Sequence, residues 1–342
     1  MKLVLKDGSV YEGASFGAEG SISGEVVFNT GMTGYVETLS DPSYAGQILV
    51  CTYPLIGNYG VPDAAFFESS KIQVAGLVVS QYSELYSHFD AKKSLAQWLK
   101  ECGVPAISGV DTRAVTKKLR EHGVMLGALA QKAVQLEFND PNENNLVASV
   151  SISEKKVYGN GPKKIIALDC GMKENIARSL ARPGITLIRV PWNYDFTHDE
   201  YDALFISNGP GDPSMCDIPI RHIQHAMNAH KPILGICLGV QLLALAAGGT
   251  TYKLKYGHRS QNQPCIDLET ERCYITSQNH GFAVAEKSLP EDWRVWFKNA
   301  NDDSVEGIKH KTKPWRAVQF HPEATPGPTD TLWIFDQFLK SL

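Results

Sequence analysis

The sequence predicts an α/β protein with two domains, an N-terminal β-rich α/β domain followed by a domain built on a doubly wound, mostly parallel sheet. Its 342 residues suffice for two domains that each bury a core. From residue 165 onward, short apolar runs (IIALD, TLIRV, ALFIS, PILGI) alternate with helix-length segments. That alternation is typical of βαβ units with helices on both faces of the sheet.

Composition excludes several other classes of protein. Hydrophobic residues make up 43% of the chain and charged residues 20%, as in ordinary globular proteins. The net charge of −4 gives no reason to expect nucleic acid or an anionic membrane as partner. No apolar run approaches the roughly 18–20 residues of a membrane helix, so a cytoplasmic protein is expected. The seven cysteines include no CxxC pair, which predicts neither a disulfide framework nor a thiolate zinc site.

The first domain is predicted over residues 1–155. Its first 60 residues or so are glycine-rich with short β-type runs, and they contain a polar stretch, Gly31 to Val50. Ser43 lies there in an Asp-Pro-Ser sequence whose simplest interpretation is turn chemistry. Two helices follow, one over AKKSLAQWLKECG and one over DTRAVTKKLREHG, the second with Asp111 as N-cap and Gly123 as stop.

A charged, glycine-rich stretch, EKKVYGNGPKK, predicts a linker over residues 156–163. The second domain is then predicted over 164–342. It closes with a helix in TDTLWIFDQFLKSL, where Leu332, Phe335 and Leu339 share one face.

The second domain is organised around GICLGVQLLALAAGG, residues 235 to 249. An apolar run after Pro232 predicts a buried strand, and the Leu- and Ala-rich run after the cysteine predicts a buried helix. Cys237 would lie on the strand-to-helix turn, where Gly235 and Gly239 allow a sharp bend. A helix N-terminus favours a thiolate, so Cys237 is a candidate nucleophile; the alternative is a cysteine of the core.

Two further polar segments follow predicted strands. The loop SNGPGDP, Ser207 to Pro213, has glycines that would let backbone N–H groups approach a ligand, although a tight turn explains them nearly as well. The segment QFHPE ends another strand on His321 and Glu323. These two could act as base and orienting carboxylate for the cysteine, and a surface turn is the alternative.

The segment CDIPIRHIQHAMNAH holds a cysteine and three histidines, Cys216, His222, His225 and His230. His222 and His225 could share a helix face, but no acidic ligand completes a set. No metal site is therefore predicted.

In this order, SNGPGDP, GICLGVQ and QFHPE resemble the motifs of the class I (triad) glutamine amidotransferases, from about Lys164 to the C-terminus. The resemblance implies that Cys237 attacks the side-chain amide of glutamine, with His321 as general acid/base and Glu323 as its partner. The resemblance also implies that the backbone N–H groups of Gly209 and Leu238 bind the oxyanion. It further implies a pocket for glutamine, lined by Gly211, Gln241, Asn279, Gly281 and Phe282.

Motifs in the first domain, together with two in the second, indicate a more specific family. TGYVETLSDPSYAGQILVCTYPLIGNYG, SGVDTRAVTKKLREHG, DCGMKENIARSL and QNHGFAV are similar to the small, glutamine-hydrolysing subunits of carbamoyl phosphate synthetases. In that family a residue matching Ser43 reaches the bound glutamine. This sequence departs from related patterns at Val240, where His is common, and in Tyr256 to Pro264, where a His-Gly-Gly run is common.

The chain has no glycine-rich phosphate loop ahead of a lysine, and no cofactor is expected in it. The resemblance implies a separate large subunit that binds ATP and Mg²⁺, receives ammonia through a tunnel and makes carbamoyl phosphate for arginine or pyrimidine synthesis. Two alternatives remain open. One is a glutaminase serving another synthase, such as those for anthranilate, GMP or CTP, and the other is a catalytically silent regulatory scaffold.

Overall fold

The computed structural model describes residues 1–131 and 137–342, and the chain divides into two compact units, Met1–Glu143 and Asn144–Leu342. This division falls before the predicted linker at 156–163. The linker prediction missed a strand, Lys156–Tyr158, which pairs with a strand of the second unit. Val147 is likewise buried in the core of the second unit. Val147 and the strand Lys156–Tyr158 therefore pack with the second unit.

The first unit is β-rich, as predicted. Its strands are β1 (Lys2–Leu5), β2 (Val10–Glu12), β3 (Ala14–Ser15), β4 (Ile22–Asn29), β5 (Gln47–Cys51), β6 (Leu55–Ile56), β7 (Gly76–Val78), β8 (Gln81–Tyr82), β9 (Ala106–Ser108) and β10 (Met125–Ala130). The main sheet has the order β2-β1-β10-β4-β5-β7-β9-β3, and β6 pairs with β8. Strands β4, β5, β7 and β9 run parallel, and the rest of the main sheet is antiparallel.

The helices of the first unit are α1 (Tyr35–Ser40), α2 (Leu95–Glu101) and α3 (Thr112–His122). Both helices predicted in this unit are confirmed. The side chain of Asp111 accepts a hydrogen bond from the N–H of Ala114, and Gly123 ends α3 with φ 94°. A positive φ is a conformation that glycine adopts at little cost, which explains why the helix stops there.

The second unit holds β11 (Lys156–Tyr158), β12 (Lys163–Asp169), β13 (Ile185–Pro191), β14 (Ala203–Ile206), β15 (Ile233–Ile236), β16 (Thr251–Asp267), β17 (Cys273–Val284), β18 (Trp293–Asn299), β19 (Val305–His310) and β20 (Trp315–Val318). The sheet order is β11-β13-β12-β14-β15-β20-β19-β17-β16-β18. Strands β13, β12, β14, β15 and β20 form the predicted parallel part. An antiparallel part, β19-β17-β16-β18, continues the sheet.

Helices cover both faces of the parallel strands. They are α4 (Val147–Val150), α5 (Glu174–Leu180), α6 (Asp217–Asn228), α7 (Leu238–Ala246) and α8 (Trp333–Leu339). Along β12, Ile166 and Leu168 join the core that contains α6 and α7, whereas Ile165 and Ala167 join the core that contains α5 and α8. This alternation is that of a strand buried on both faces, and it confirms the doubly wound architecture.

None of the helices in the described residues combines the length and the apolar character that crossing a bilayer requires.

The cap of α3 offers a test of the first unit. Replacing Asp111 with Ala removes the acceptor for the N–H of Ala114, 2.9 Å away, and should lower the free energy of unfolding by about 1 kcal/mol. Asp111→Asn keeps a cap acceptor and should change it by a few tenths of a kcal/mol. Urea unfolding followed by circular dichroism measures both, and equal losses in the two variants would contradict the cap.

Candidate active site

Cys237 occupies the turn between β15 and α7, as predicted. Its backbone has φ 54° and ψ −107°, a conformation that is uncommon for a residue with a side chain. The glycines on either side are required by close packing: a Cβ on Gly235 would lie 2.6 Å from the carbonyl oxygen of Gly239, and one on Gly239 would lie 2.3 Å from that of Ile206. The turn therefore depends on both glycines and holds the cysteine in one strained conformation.

The thiol is buried against β17. Cys237 is 2% exposed, and its Sγ donates to the backbone oxygen of Asn279 at 3.6 Å. Strand β17 also contacts the segment after β20, because the N–H of His321 donates to the oxygen of Ser277 at 2.9 Å. One strand thus touches both the candidate nucleophile and the candidate base.

His321 and Glu323 form a buried pair, 3% and 1% exposed. Nδ1 of His321 lies 2.7 Å from Oε1 of Glu323, which fixes the ring and its proton. Nε2 is buried and has no hydrogen-bond partner among the described residues. That nitrogen is the one left to exchange a proton with a thiol or a leaving group.

Sequence reasoning missed Lys173. Its Nζ lies 3.1 Å from Oε1 of Glu323 and donates to the oxygen of Ala324 at 2.6 Å, and the side chain is 3% exposed. Asn175 holds the same turn by donating from Nδ2 to the oxygen of Glu323 at 2.6 Å. The signal was present in DCGMKENIARSL, a segment that follows β12 at the carboxyl edge of the sheet, but a lysine before a helix ordinarily faces water.

The charges of Lys173, His321 and Glu323 shift the pKa values of the histidine and the glutamate. Burial favours the uncharged carboxyl of Glu323, but Lys173 and His321 outweigh it and lower the pKa to about 2. Burial likewise favours neutral His321, but the charges of Glu323 and Cys237 outweigh it and raise the pKa to about 10. The histidine is therefore held as an imidazolium at neutral pH, the form that stabilises a thiolate beside it.

Gln241, one of the residues predicted to contact glutamine, lies beside strand β17, which carries three others. Its Nε2 donates to the oxygen of Phe282 at 2.9 Å and to Oε1 of Gln319 at 3.1 Å. Asn279 and Gly281 lie on the same strand as Phe282. The fold therefore brings these four residues to one side of Cys237, and their role in binding glutamine stays a prediction.

Gly209 follows β14 and packs closely beside the first residue of α7. A Cβ on Gly209 would lie 2.0 Å from the oxygen of Cys170 and 2.9 Å from Cδ2 of Leu238. Gly211 has φ 86° and continues the same loop. Gly209 and Leu238 are thus neighbours next to Cys237, as an oxyanion site formed by their N–H groups requires.

Ser43 belongs to the first unit. It lies in a short 3₁₀ turn, Pro42–Tyr44, is 7% exposed, and its N–H donates to Oδ1 of Asp41 at 2.9 Å. The turn chemistry read from the sequence is thus confirmed, and contact with glutamine stays a prediction.

This sequence departs from the family patterns in two places, and the structure shows what surrounds each of them. Val240 is fully buried in the apolar core that contains α6 and α7, where a histidine would need a partner. The segment Tyr256 to Pro264 lies in β16, whose pairing with β17 shifts register between Lys253 and His258 and again between Ser260 and Gln263.

The fold and the site together define a class: an α/β protein with a cysteine on a strand–helix elbow and a buried histidine–carboxylate pair, an arrangement suited to acyl transfer through a thioester. Comparison with known families is more specific. Residues 166–341 match the family "Glutamine amidotransferase class-I", and residues 3–129 match "Carbamoyl-phosphate synthase small chain, CPSase domain". The chain belongs to the class-I glutamine amidotransferases, in the branch that carries the small-chain domain of carbamoyl-phosphate synthases.

The sequences of curated relatives align with 99% of this chain. It is 53% identical to multifunctional protein CAD of Squalus acanthias and 50% identical to multifunctional protein URA2 of Saccharomyces cerevisiae, covering 16% and 17% of those proteins. It is also 47% identical to the mitochondrial "Carbamoyl-phosphate synthase [ammonia]" of Homo sapiens, covering 23% of that protein. The chain thus spans less than a quarter of the length of these relatives.

The lysine–glutamate contact yields a prediction for pH dependence. The lowered pKa of Glu323 means that its contribution to stability is present above pH 4.5 and is lost as the pH falls towards 2. Lys173→Met removes the ammonium, so the pKa of Glu323 rises and the loss begins at higher pH. At neutral pH the variant should lose about 3–5 kcal/mol of unfolding free energy, because a buried carboxylate loses a partner.

Urea unfolding across the acid range measures this effect. Lys164→Met is the matched control, since Lys164 pairs with Glu200 at the surface, and its loss should stay within about 0.5 kcal/mol. The same acid sensitivity in both variants would show that Lys173 does not control the charge of Glu323.

Proposed function

We propose that this chain is the glutamine-hydrolysing part of a carbamoyl-phosphate synthase. The observation that carries the proposal is the buried group formed by Cys237, His321 and Glu323 in a chain of the class-I amidotransferase family. Its substrate is L-glutamine, and its products are glutamate and ammonia.

The reaction begins with the thiolate of Cys237, formed when His321 holds the thiol proton. The sulfur attacks the side-chain amide carbon, a C–S bond forms, and the amide oxygen becomes an oxyanion. His321 then gives its proton to the amide nitrogen as the C–N bond breaks, and ammonia leaves. Water, deprotonated by His321, attacks the resulting glutamyl thioester, which releases glutamate and restores the thiol.

The backbone N–H groups of Gly209 and Leu238 stabilise the oxyanion. Leu238 is the first residue of α7. The N–H groups at a helix N-terminus have no partner within the helix and form the positive end of its dipole. Losing one such donor typically costs about 2.7–4 kcal/mol of transition-state stabilisation. Burial of the site strengthens this interaction by excluding water.

Glutamine recognition is assigned to Gln241, Asn279, Gly281, Phe282 and Gly211, together with Ser43 from the first unit. The hydrogen bond from Gln241 to the oxygen of Phe282 supports this assignment, because it holds β17 in place beside the thiol. In the proposed pocket, backbone groups of β17 bind the α-amino and carboxyl ends of the amino acid.

Ammonia is used by a synthetase region or subunit that binds ATP and Mg²⁺ and takes up bicarbonate, with an internal tunnel between the two sites. Support comes from the much greater length of the relatives and from the name of the human one. The proposed partner is the large subunit of a carbamoyl-phosphate synthase in the cytoplasm, as a separate chain in a heterodimer, which is what the family resemblance implies. The length of the relatives favours instead a synthetase region in the same chain. Neither nucleic acid nor membrane is required.

Two alternatives have specific counter-observations. A glutaminase of another synthase is disfavoured because residues 3–129 match the carbamoyl-phosphate synthase small chain. A silent scaffold is suggested by relatives whose names specify ammonia, but it is disfavoured here by the buried pair of His321 and Glu323 next to Cys237.

Replacing Cys237 with Ser tests the proposal. Because the thiolate forms the covalent bond, glutamine hydrolysis should fall by roughly 10⁴-fold or more, measured as glutamate released. Cys216→Ser is the matched control: that cysteine is 1% exposed in the same unit, and its loss should leave the rate within about twofold. Undiminished hydrolysis by C237S would overturn the mechanism, and absent hydrolysis by the unmodified chain with its synthetase partner would favour the scaffold.

A further inference from the structure

A second group of buried polar side chains lies in the antiparallel part of the second unit's sheet. His258 on β16, His280 on β17 and Glu306 on β19 are 7%, 5% and 0% exposed. Each offers one ligand atom, and these atoms lie within 4.8 Å of one another. None belongs to the group formed by Cys237, His321 and Glu323.

In each histidine, the ring nitrogen on the side away from Glu306 faces a hydrogen-bond acceptor. Nε2 of His258 lies 2.9 Å from Oδ2 of Asp302, and Nδ1 of His280 lies 2.9 Å from the backbone oxygen of Phe282. In the tautomer in which each of these nitrogens carries the ring proton, it donates that proton to its acceptor. In a neutral ring the other nitrogen then presents a lone pair, and in both histidines that nitrogen faces Glu306.

Acceptor atoms converge between these residues. Oε1 of Glu306 lies 3.2 Å from Nδ1 of His258 and 3.8 Å from Nε2 of His280. Besides the two histidines, the described residues near Oε1 include Asn299 and Ser304, whose polar atoms lie 3.4 and 3.5 Å away, at the long end of the hydrogen-bond range. Oε2 is buried and has no hydrogen-bond partner among the described residues.

Gln278 adds a further oxygen. Its Oε1 lies 3.2 Å from Nε2 of His280, while its Nε2 donates to Sγ of Cys265 at 3.2 Å and to Oγ1 of Thr276 at 3.1 Å. Those two bonds orient the amide so that its oxygen, and not its nitrogen, faces the histidine. The two histidine nitrogens and the carboxylate of Glu306 thus lie close together, and the amide oxygen of Gln278 lies beside one of those nitrogens.

We propose that His258, His280 and Glu306 bind a divalent cation of the zinc class, with Oε1 of Gln278 as the fourth ligand. Ligand atoms about 2.0–2.2 Å from a tetrahedral zinc lie roughly 3.3–3.6 Å apart, close to the separations of 3.2 and 3.8 Å between Glu306 and the two histidines. Imidazole nitrogen with a carboxylate is a donor set that suits zinc.

The surroundings match those of metal-binding histidines, which usually donate their second ring N–H to a carboxylate or a backbone oxygen. Asp302 and Phe282 fill these two positions here. A cation at this point would tie β16, β17 and β19 together and fix the strand that carries Asn279 and Phe282. No local sequence pattern predicts this site, because its ligands lie on three strands that become neighbours only in the folded sheet.

Equilibrium dialysis of the full chain against zinc chloride tests the proposal, with bound metal counted by mass spectrometry after prior removal of metal with a chelator. The chain carries Cys237→Ser, so that the thiol and His321 cannot bind zinc together. About one zinc per chain should bind, the thermal unfolding midpoint should rise, and cobalt(II) in place of zinc should give the visible absorption of a tetrahedral site.

Three variants locate the metal. Glu306→Gln should abolish binding, and Asp302→Asn, at a side chain that is 43% exposed, should weaken it about 10–100-fold while leaving the fold intact. His310→Asn is the control, since His310 is equally buried and pairs with Asp292 away from the cluster. No bound zinc, or binding that is the same in D302N as in the parent chain, would overturn the proposal. If E306Q does not fold, zinc binding by D302N alone tests the proposal.

Discussion

The parallel strands of the second unit end at one edge of the sheet, and this constraint determines where the candidate catalytic residues lie. Lys173 follows β12, Gly209 follows β14, Cys237 follows β15 and His321 follows β20. Residues that are far apart in the chain meet there because parallel strands bring their carboxyl ends together. The antiparallel strand β17 then crosses beside Cys237 and His321 and adds the segment that carries Asn279.

Electrostatics decides how these side chains behave. Lys173, Glu323 and His321 form a row of alternating charge, and all three are nearly inaccessible to water. Each charge would be costly to bury alone, so each depends on its neighbour. The same dependence keeps Glu323 ionised and His321 protonated, and it leaves one buried imidazole nitrogen without a hydrogen-bond partner among the described residues.

Much of this arrangement could be predicted from the sequence. The elbow at Cys237 was predictable because Gly235 and Gly239 bracket it, and both glycines are required by contacts shorter than 3 Å. Helix α3 was predictable from a local cap and a local stop, Asp111 and Gly123. Such features depend on neighbours in the chain, so that a local pattern specifies them.

Other features depend on distant contacts and could not be predicted in the same way. Strand β11 looked like a linker because its side chains are largely exposed, and only pairing with β13 makes it a strand. Lys173 looked like a solvated lysine because its partner is Glu323, which lies at the far end of the unit's sequence. The same holds for the cluster of His258, His280 and Glu306, which forms only when β16, β17 and β19 pair.

The central claim is a covalent bond between Cys237 and the glutamyl group of the substrate. The most direct measurement is peptide mapping by mass spectrometry after the full chain, turning over glutamine, is stopped in acid. We expect the added mass of one glutamyl group on the peptide that contains Cys237 and on no other cysteine-containing peptide. Rapid hydrolysis with no such adduct, or an adduct on a different cysteine, would contradict it.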